Sequence, residues 1–104
     1  MTRNESGQTP DTELLLHKQS YNNHFRYTVL TDYKTKIDGY DASILEYQLK
    51  ERIEGSPALM FERRIYFLVN DYMYEIYFSV AEHERDEEFE KGYEYFFNSL
   101  QILP

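Results

Sequence analysis

His83 and Glu87 stand four residues apart. That spacing brings two ligands onto one face of a helix, so the pair is the first place to look for a metal. A metal needs at least three protein ligands, and no third one joins the pair at a recognisable spacing. His83 also precedes the helix that the following residues predict. His17 and His24 are seven apart and fit the exposed side of an earlier helix. Ser79 and Ser99, with the three histidines, supply the residue types of a nucleophile and its base. The Gly-x-Ser-x-Gly elbow that presents such a nucleophile is missing. Four scattered glycines make no phosphate-binding loop. With no cysteine there are no disulfides, thiolate metal sites or thiol nucleophiles. These residues predict no catalytic centre, no metal and no cofactor.

One charged constellation remains. Glu82, Glu84, Asp86, Glu87, Glu88, Glu90 and Glu94 are offset only by Arg85 and Lys91. Such a run is ordinarily the solvated outer face of an amphipathic helix. It is also the best candidate surface for a basic partner, because complementary charge speeds encounter. Glu82, Glu84, Asp86, Glu87, Glu88 and Glu90 are therefore the candidate partner-binding residues. The net charge of −8 disfavours a free nucleic-acid binder and an anionic membrane surface. No apolar window is long enough to span a bilayer, so no membrane insertion by this chain is expected. The first ten residues have no apolar core and are not a signal peptide.

The elements that would position these residues follow from periodicity. Residues 1–10 read as a disordered tail and residues 11–104 as a single domain. Residues 11–25 read as a helix capped by Asp11 or Thr12, with Leu14, Leu15, Tyr21 and Phe25 as its apolar stripe. Residues 26–37 alternate as a strand that places Tyr27, Val29, Thr31, Tyr33 and Thr35 on one face. Gly39 marks a turn into a second strand, and 54–57 break that strand. "ALMFERRIYFLV" and "YMYEIYFSVA" are two further strands joined at 70–71. Phe89, Tyr93, Phe96, Phe97 and Leu100 lie on one face of a closing helix with Asp86 as its N-cap. In that helix Gly92 leaves room for a strand to approach.

Residues 58–81 carry apolar side chains on both faces. Phe61, Ile65, Phe67 and Val69 point opposite to Tyr66 and Leu68; Tyr74, Ile76 and Phe78 point opposite to Met73 and Tyr77. A sheet with one wet face would be apolar on one side only. The pattern predicts the hairpin as the centre of a sheet covered on both faces. The fold class is α+β: an antiparallel four-stranded meander with a helix on each face, an α/β/α sandwich.

Three segments give this layout a family resemblance: "IDGYDASILEYQL", "RRIYFLVNDYMYEIYFSVAE" and "FEKGYEYFFNSLQIL". Together they resemble the PsbP-like superfamily of sandwiches, which includes DcrB-type lipoproteins and the PsbP extrinsic proteins of photosystem II. The family's two opening strands, with their glycine-aromatic and proline-tryptophan signatures, have no counterpart before Asp11. The resemblance implies a non-enzymatic accessory or binding domain, extracytoplasmic if an upstream signal is missing, with a protein or small-molecule partner. It transfers no site residue. A second class shares the size, acidity and mixed α/β content: a cytoplasmic acidic interaction module, toxin-neutralising or secretion-chaperone-like. The missing strands would leave an edge and apolar sheet surface open, which predicts a homodimer.

Overall fold

The computed structural model describes residues 2–3, 9–70 and 72–100. Its order is β1 (Thr2–Arg3), α1 (Pro10–Asn22), β2 (Tyr27–Ile37), β3 (Tyr40–Ile53), β4 (Ser56–Val69), β5 (Tyr72–Ala81), a 3-10 turn (Glu82–Glu84) and α2 (Glu87–Ser99). The strands form one antiparallel sheet in the order β1-β5-β4-β3-β2. The four long strands are the expected meander, and the two helices cover its two faces. The α+β class read from the sequence is the class observed.

Turn chemistry fixes the meander. Asp38 and Gly39 both have positive φ, as do Glu54 and Gly55. Two consecutive positive φ values make the hairpin turn whose twist matches that of the flanking strands. Asn70 also has a positive φ at the third hairpin; its neighbour Asp71 lies outside the described residues.

α1 begins earlier than expected. Its N-cap is Thr9, whose hydroxyl accepts from the Thr12 N–H, while the Thr12 hydroxyl accepts from the Thr9 N–H. This reciprocal pair satisfies two amides that the first turn leaves open, and Pro10 at the first helical position has no N–H to satisfy. Of the residues expected to form a tail, Thr9 and Pro10 therefore belong to α1, and Thr2–Arg3 lies beside β5. The remainder of that stretch is outside the described residues. The inner face of α1 is Leu14, His17 and Tyr21; Leu15 is exposed, and Phe25 lies beyond the helix end. Asp86 caps α2 as expected, accepting from the Phe89 N–H.

The sheet has a separate core on each face. On the α1 side, Leu14 and Tyr21 of the helix pack with Leu45, Tyr47, Tyr66 and Met73, flanked by Tyr27, Val29 and Leu68. Toward α2 lie Ile37, Ala42, Ile44, Ile65, Phe67 and Val69, joined by Ile76, Phe78, Tyr93 and Phe97. Two details depart from the sequence reading. A bulge between Val29 and Thr31 breaks the alternation of β2, because one extra residue reverses the faces of all that follow. Tyr27 and Val29 therefore serve the α1 core, while Tyr33 lies on the opposite face. Second, β4 and β3 are central, whereas β5 is nearly an edge, paired on its outer side only with β1.

α2 packs through large rings. Tyr93 and Phe96 meet the Phe78 ring edge-on at 5.1 and 5.3 Å. No residue of the helix is fully buried, and Phe96 is 41% exposed. A Cβ built on Gly92 meets nothing within 4 Å, so no strand approaches it. Gly92→Ala is therefore expected to stabilise the fold by about 1 kcal/mol, the helix-propensity difference. Phe61→Ala, at a fully buried ring, is expected to cost about 3–5 kcal/mol. Denaturant melts of both variants check these values.

Candidate functional site

The polar chemistry gathers where the sequence reads "ERR". Glu62, Arg63 and Arg64 sit in the middle of β4, the central strand of the sheet. Alternation sends Arg63 to the α2 face and its two neighbours to the α1 face.

On the α1 face, Glu62 is 4% exposed. It accepts from the hydroxyls of Tyr47 at 2.5 Å, Tyr77 at 3.0 Å and Ser79 at 3.1 Å. Arg64 donates through Nε to the Tyr47 hydroxyl at 2.7 Å and pairs with Glu75. Its guanidinium lies 4.9 Å from the Tyr77 ring centroid. Tyr21 stacks on Tyr27 at 4.3 Å and packs against Tyr47 at 4.6 Å. Burial raises the Tyr47 and Tyr66 phenols well above their ordinary value. Both stay neutral and able to donate. His17 Nδ1 lies 2.5 Å from the Tyr66 hydroxyl. The sequence reading left this histidine on the surface; it is half-buried and engaged.

On the α2 face, Arg63 is 5% exposed. It donates to Glu46 at 2.9 Å and to Glu90 at 3.2 Å. The guanidinium lies 4.1 Å from the Tyr93 ring centroid and 5.1 Å from that of Phe61. Its Nη1 has no hydrogen-bond partner and is compensated by the ring faces instead. Burial opposes this charge, but Glu46 and Glu90 outweigh it and hold Arg63 above its ordinary value. Burial likewise pushes the Tyr93 phenol up to about 12. Arg85 repeats the arrangement nearby, over Phe61 at 4.2 Å and paired with Glu82 at 3.0 Å.

The acidic run therefore splits. Glu82 and Glu90 turn inward to arginines, and Asp86 is a helix cap. Glu87 pairs with Lys91, and Glu84 lies 3.5 Å from His83. Glu84, Glu87 and Glu88 are exposed. His83 is not brought onto a ligand set with Glu87: no group of three or more His, Asp and Glu suited to a metal occurs among the described residues. Ser79 donates to Glu62 and Ser99 to the Phe96 carbonyl, so neither serine meets a histidine. A cleft of about 590 Å³ opens at the head of α1. Of the charges that line it, Asp11 and Lys34 pair at 2.7 Å, and Asp41 pairs with Lys36 at 2.8 Å.

The "ERR" triplet was the missed signal. Charges inside a strand that is apolar on both faces require internal partners, and three acids, two tyrosines and a serine supply them.

No known family model matches the sequence, and no curated protein is similar enough to count as a relative. Among solved structures the chain is similar to PA94 of Pseudomonas aeruginosa, a protein of unknown function carrying a provisional regulator label. The TM-score is 0.74 at 13% identity, covering 98% of this chain and 69% of that one. At that identity the likeness shows a shared architecture and nothing about chemistry. No helix among the described residues is long and apolar enough to cross a membrane.

Two outcomes follow from these networks. Arg63→Ala leaves Glu46 without its guanidinium, and is expected to cost about 3–5 kcal/mol. Arg63→Met, which also fills the space, should fall short of that in the same melts. Asp11 is held below the ordinary carboxylate range by its hydrogen bonds from Lys34 and Ser43. A lowered native value means stability that is present above the unfolded value near about 3.9 and is lost as pH falls through the native one. Asp11→Asn should therefore flatten the acid limb of a stability–pH profile below about pH 4, and leave the neutral limb parallel to the parent.

Proposed function

We propose that the chain is a non-catalytic accessory or binding domain of the PsbP-like type, working outside the cytoplasm on a protein or small-molecule partner. One observation carries this reading: the buried ionic groups are tied to one another, while large aromatic and aliphatic side chains stand in solvent. Glu62, Arg63 and Arg64 are held by internal acids, hydroxyls and rings. Tyr77 is 52% exposed, and Phe25 and Tyr95 more so. Tyrosine presents contact area at low entropic cost and is enriched at interfaces. An active site has the opposite economy, with perturbed and reachable titratable groups in a cleft.

A second reading, a cytoplasmic acidic interaction module of the toxin-neutralising or secretion-chaperone kind, is favoured by Glu84, Glu87 and Glu88. They face solvent together at the head of α2 and would meet a basic surface.

Compartment separates the two. The native gene product, tagged at its C-terminus and fractionated, is expected outside the cytoplasm. Recovery in the cytosol overturns the first reading. The second then requires that Glu84→Lys, Glu87→Lys and Glu88→Lys together abolish salt-dependent binding of an oligolysine probe. Turnover of an ester or phosphoester substrate that disappears in Ser79→Ala would overturn both.

A further inference from the structure

The two edges of the sheet are built differently. β2 carries exposed Asp32, Lys34 and Lys36, and is interrupted by the bulge at Leu30. Charged side chains and bulges are how proteins keep an edge strand from pairing with another chain. β5 has none of these guards. Its sequence, "YMYEIYFSVA", has no lysine, arginine or proline, and its one charge, Glu75, is engaged by Arg64. The edge accepts a strand: Thr2 pairs with Met73 and Arg3 with Tyr72. Among the described residues, nothing pairs with its outer side beyond Met73.

We propose that residues 74–80 of β5 pair with the same residues of a second copy, antiparallel and across a two-fold axis at Tyr77. Directly opposed residues in an antiparallel pair point to the same face. An axis perpendicular to the sheet, passing through a residue, therefore continues both faces across the junction. Centred on Tyr77, it opposes Ile76 to Phe78, Tyr74 to Val80 and Glu75 to Ser79. No like charges meet. Tyr77 lies over its own symmetry mate, and its 52% exposure is covered. Phe96, 41% exposed and 5.3 Å from Phe78, overhangs this edge and gains a neighbour. β5 runs on to Ala81, which in this register comes opposite Met73, so the pairing displaces Thr2–Arg3 from its place beside Tyr72 and Met73. A two-fold contact is self-complementary, so one surface serves both copies. This inference is independent of which compartment or partner class holds.

The chain has no cysteine, which makes the test clean. Opposed Cα atoms in an antiparallel pair lie about 4.5–5.5 Å apart, within disulfide reach. Under mild oxidation Tyr77→Cys is expected to form a covalent dimer, and Leu30→Cys on the guarded edge is expected to remain monomeric. In sedimentation equilibrium the parent should exceed its 12.6 kDa chain mass and associate more strongly as salt is added. Tyr77→Lys and Phe96→Glu place like charges at the junction and should each weaken association more than about tenfold, with unchanged circular dichroism. A parent monomer at all micromolar concentrations overturns the proposal. So does a dimer that survives both charge variants, or cross-linking through Leu30→Cys in place of Tyr77→Cys. If Tyr77→Lys fails to fold, Phe96→Glu and the cross-link decide alone.

Discussion

The structure depends on how β4 neutralises three consecutive charges. A strand buried on both faces cannot carry Glu62, Arg63 and Arg64 unless each finds a partner in the layer it enters. Arg63 fixes the α2 side. It binds Glu46 on β3 and Glu90 on α2 and lies against Tyr93, so one guanidinium ties two elements to the central strand. Arg64 and Glu62 do the same on the other side through Tyr47, Glu75, Tyr77 and Ser79. Register is specified by this requirement as much as by apolar pattern. A slip by one residue would send Arg63 toward α1, and in one direction would set Glu62 against Glu46 and Glu90.

Tyrosine is the residue that makes both layers work. Its ring supplies apolar area, and its hydroxyl ends a buried charge network without bringing a further charge. Tyr47 illustrates the double use. Its side chain is fully buried in the α1 core, and its hydroxyl both donates to Glu62 and accepts from Arg64. Raised phenol values keep this donor protonated over the whole physiological range. Phenylalanine in its place would leave Glu62 short of a donor, which explains why a core this aromatic is rich in tyrosine.

Much of this was legible in the sequence. Two-sided apolarity in residues 58–81 predicted covers on both faces, and the aromatic spacing after Asp86 predicted α2 and its cap. What escaped has physical causes. The bulge at Leu30 leaves no mark in a Val, Leu and Thr run, because any of them can be the extra residue. The reach of Pro10 into α1 was hidden by placing it with the polar tail, although the first turn has no use for its missing N–H. The candidate site was half legible. Charge density drew attention to residues 82–90 without showing that Glu82 and Glu90 turn inward. His17 looked solvated because its partner, Tyr66, is remote in sequence and reaches it only through the fold.

The internal networks also account for the surface. Arg63, Arg64 and Arg85 are held against acids, and Lys18, Lys34, Lys36 and Lys91 are paired as well. Few cations remain to balance Glu51, Glu54, Glu88 and Glu94, which are exposed and unpaired among the described residues. The net charge of −8 is therefore a surplus of surface acids, left after most of the bases have been paired. A diffuse negative surface repels copies of the chain at long range and is screened beyond about 8 Å at physiological salt. Its effect on the unguarded β5 edge is selective. Indiscriminate stacking must bring acidic surfaces together over wide areas. A narrow strand-to-strand junction at Tyr77 joins the copies through uncharged side chains, and so is the form of association that this charge distribution opposes least.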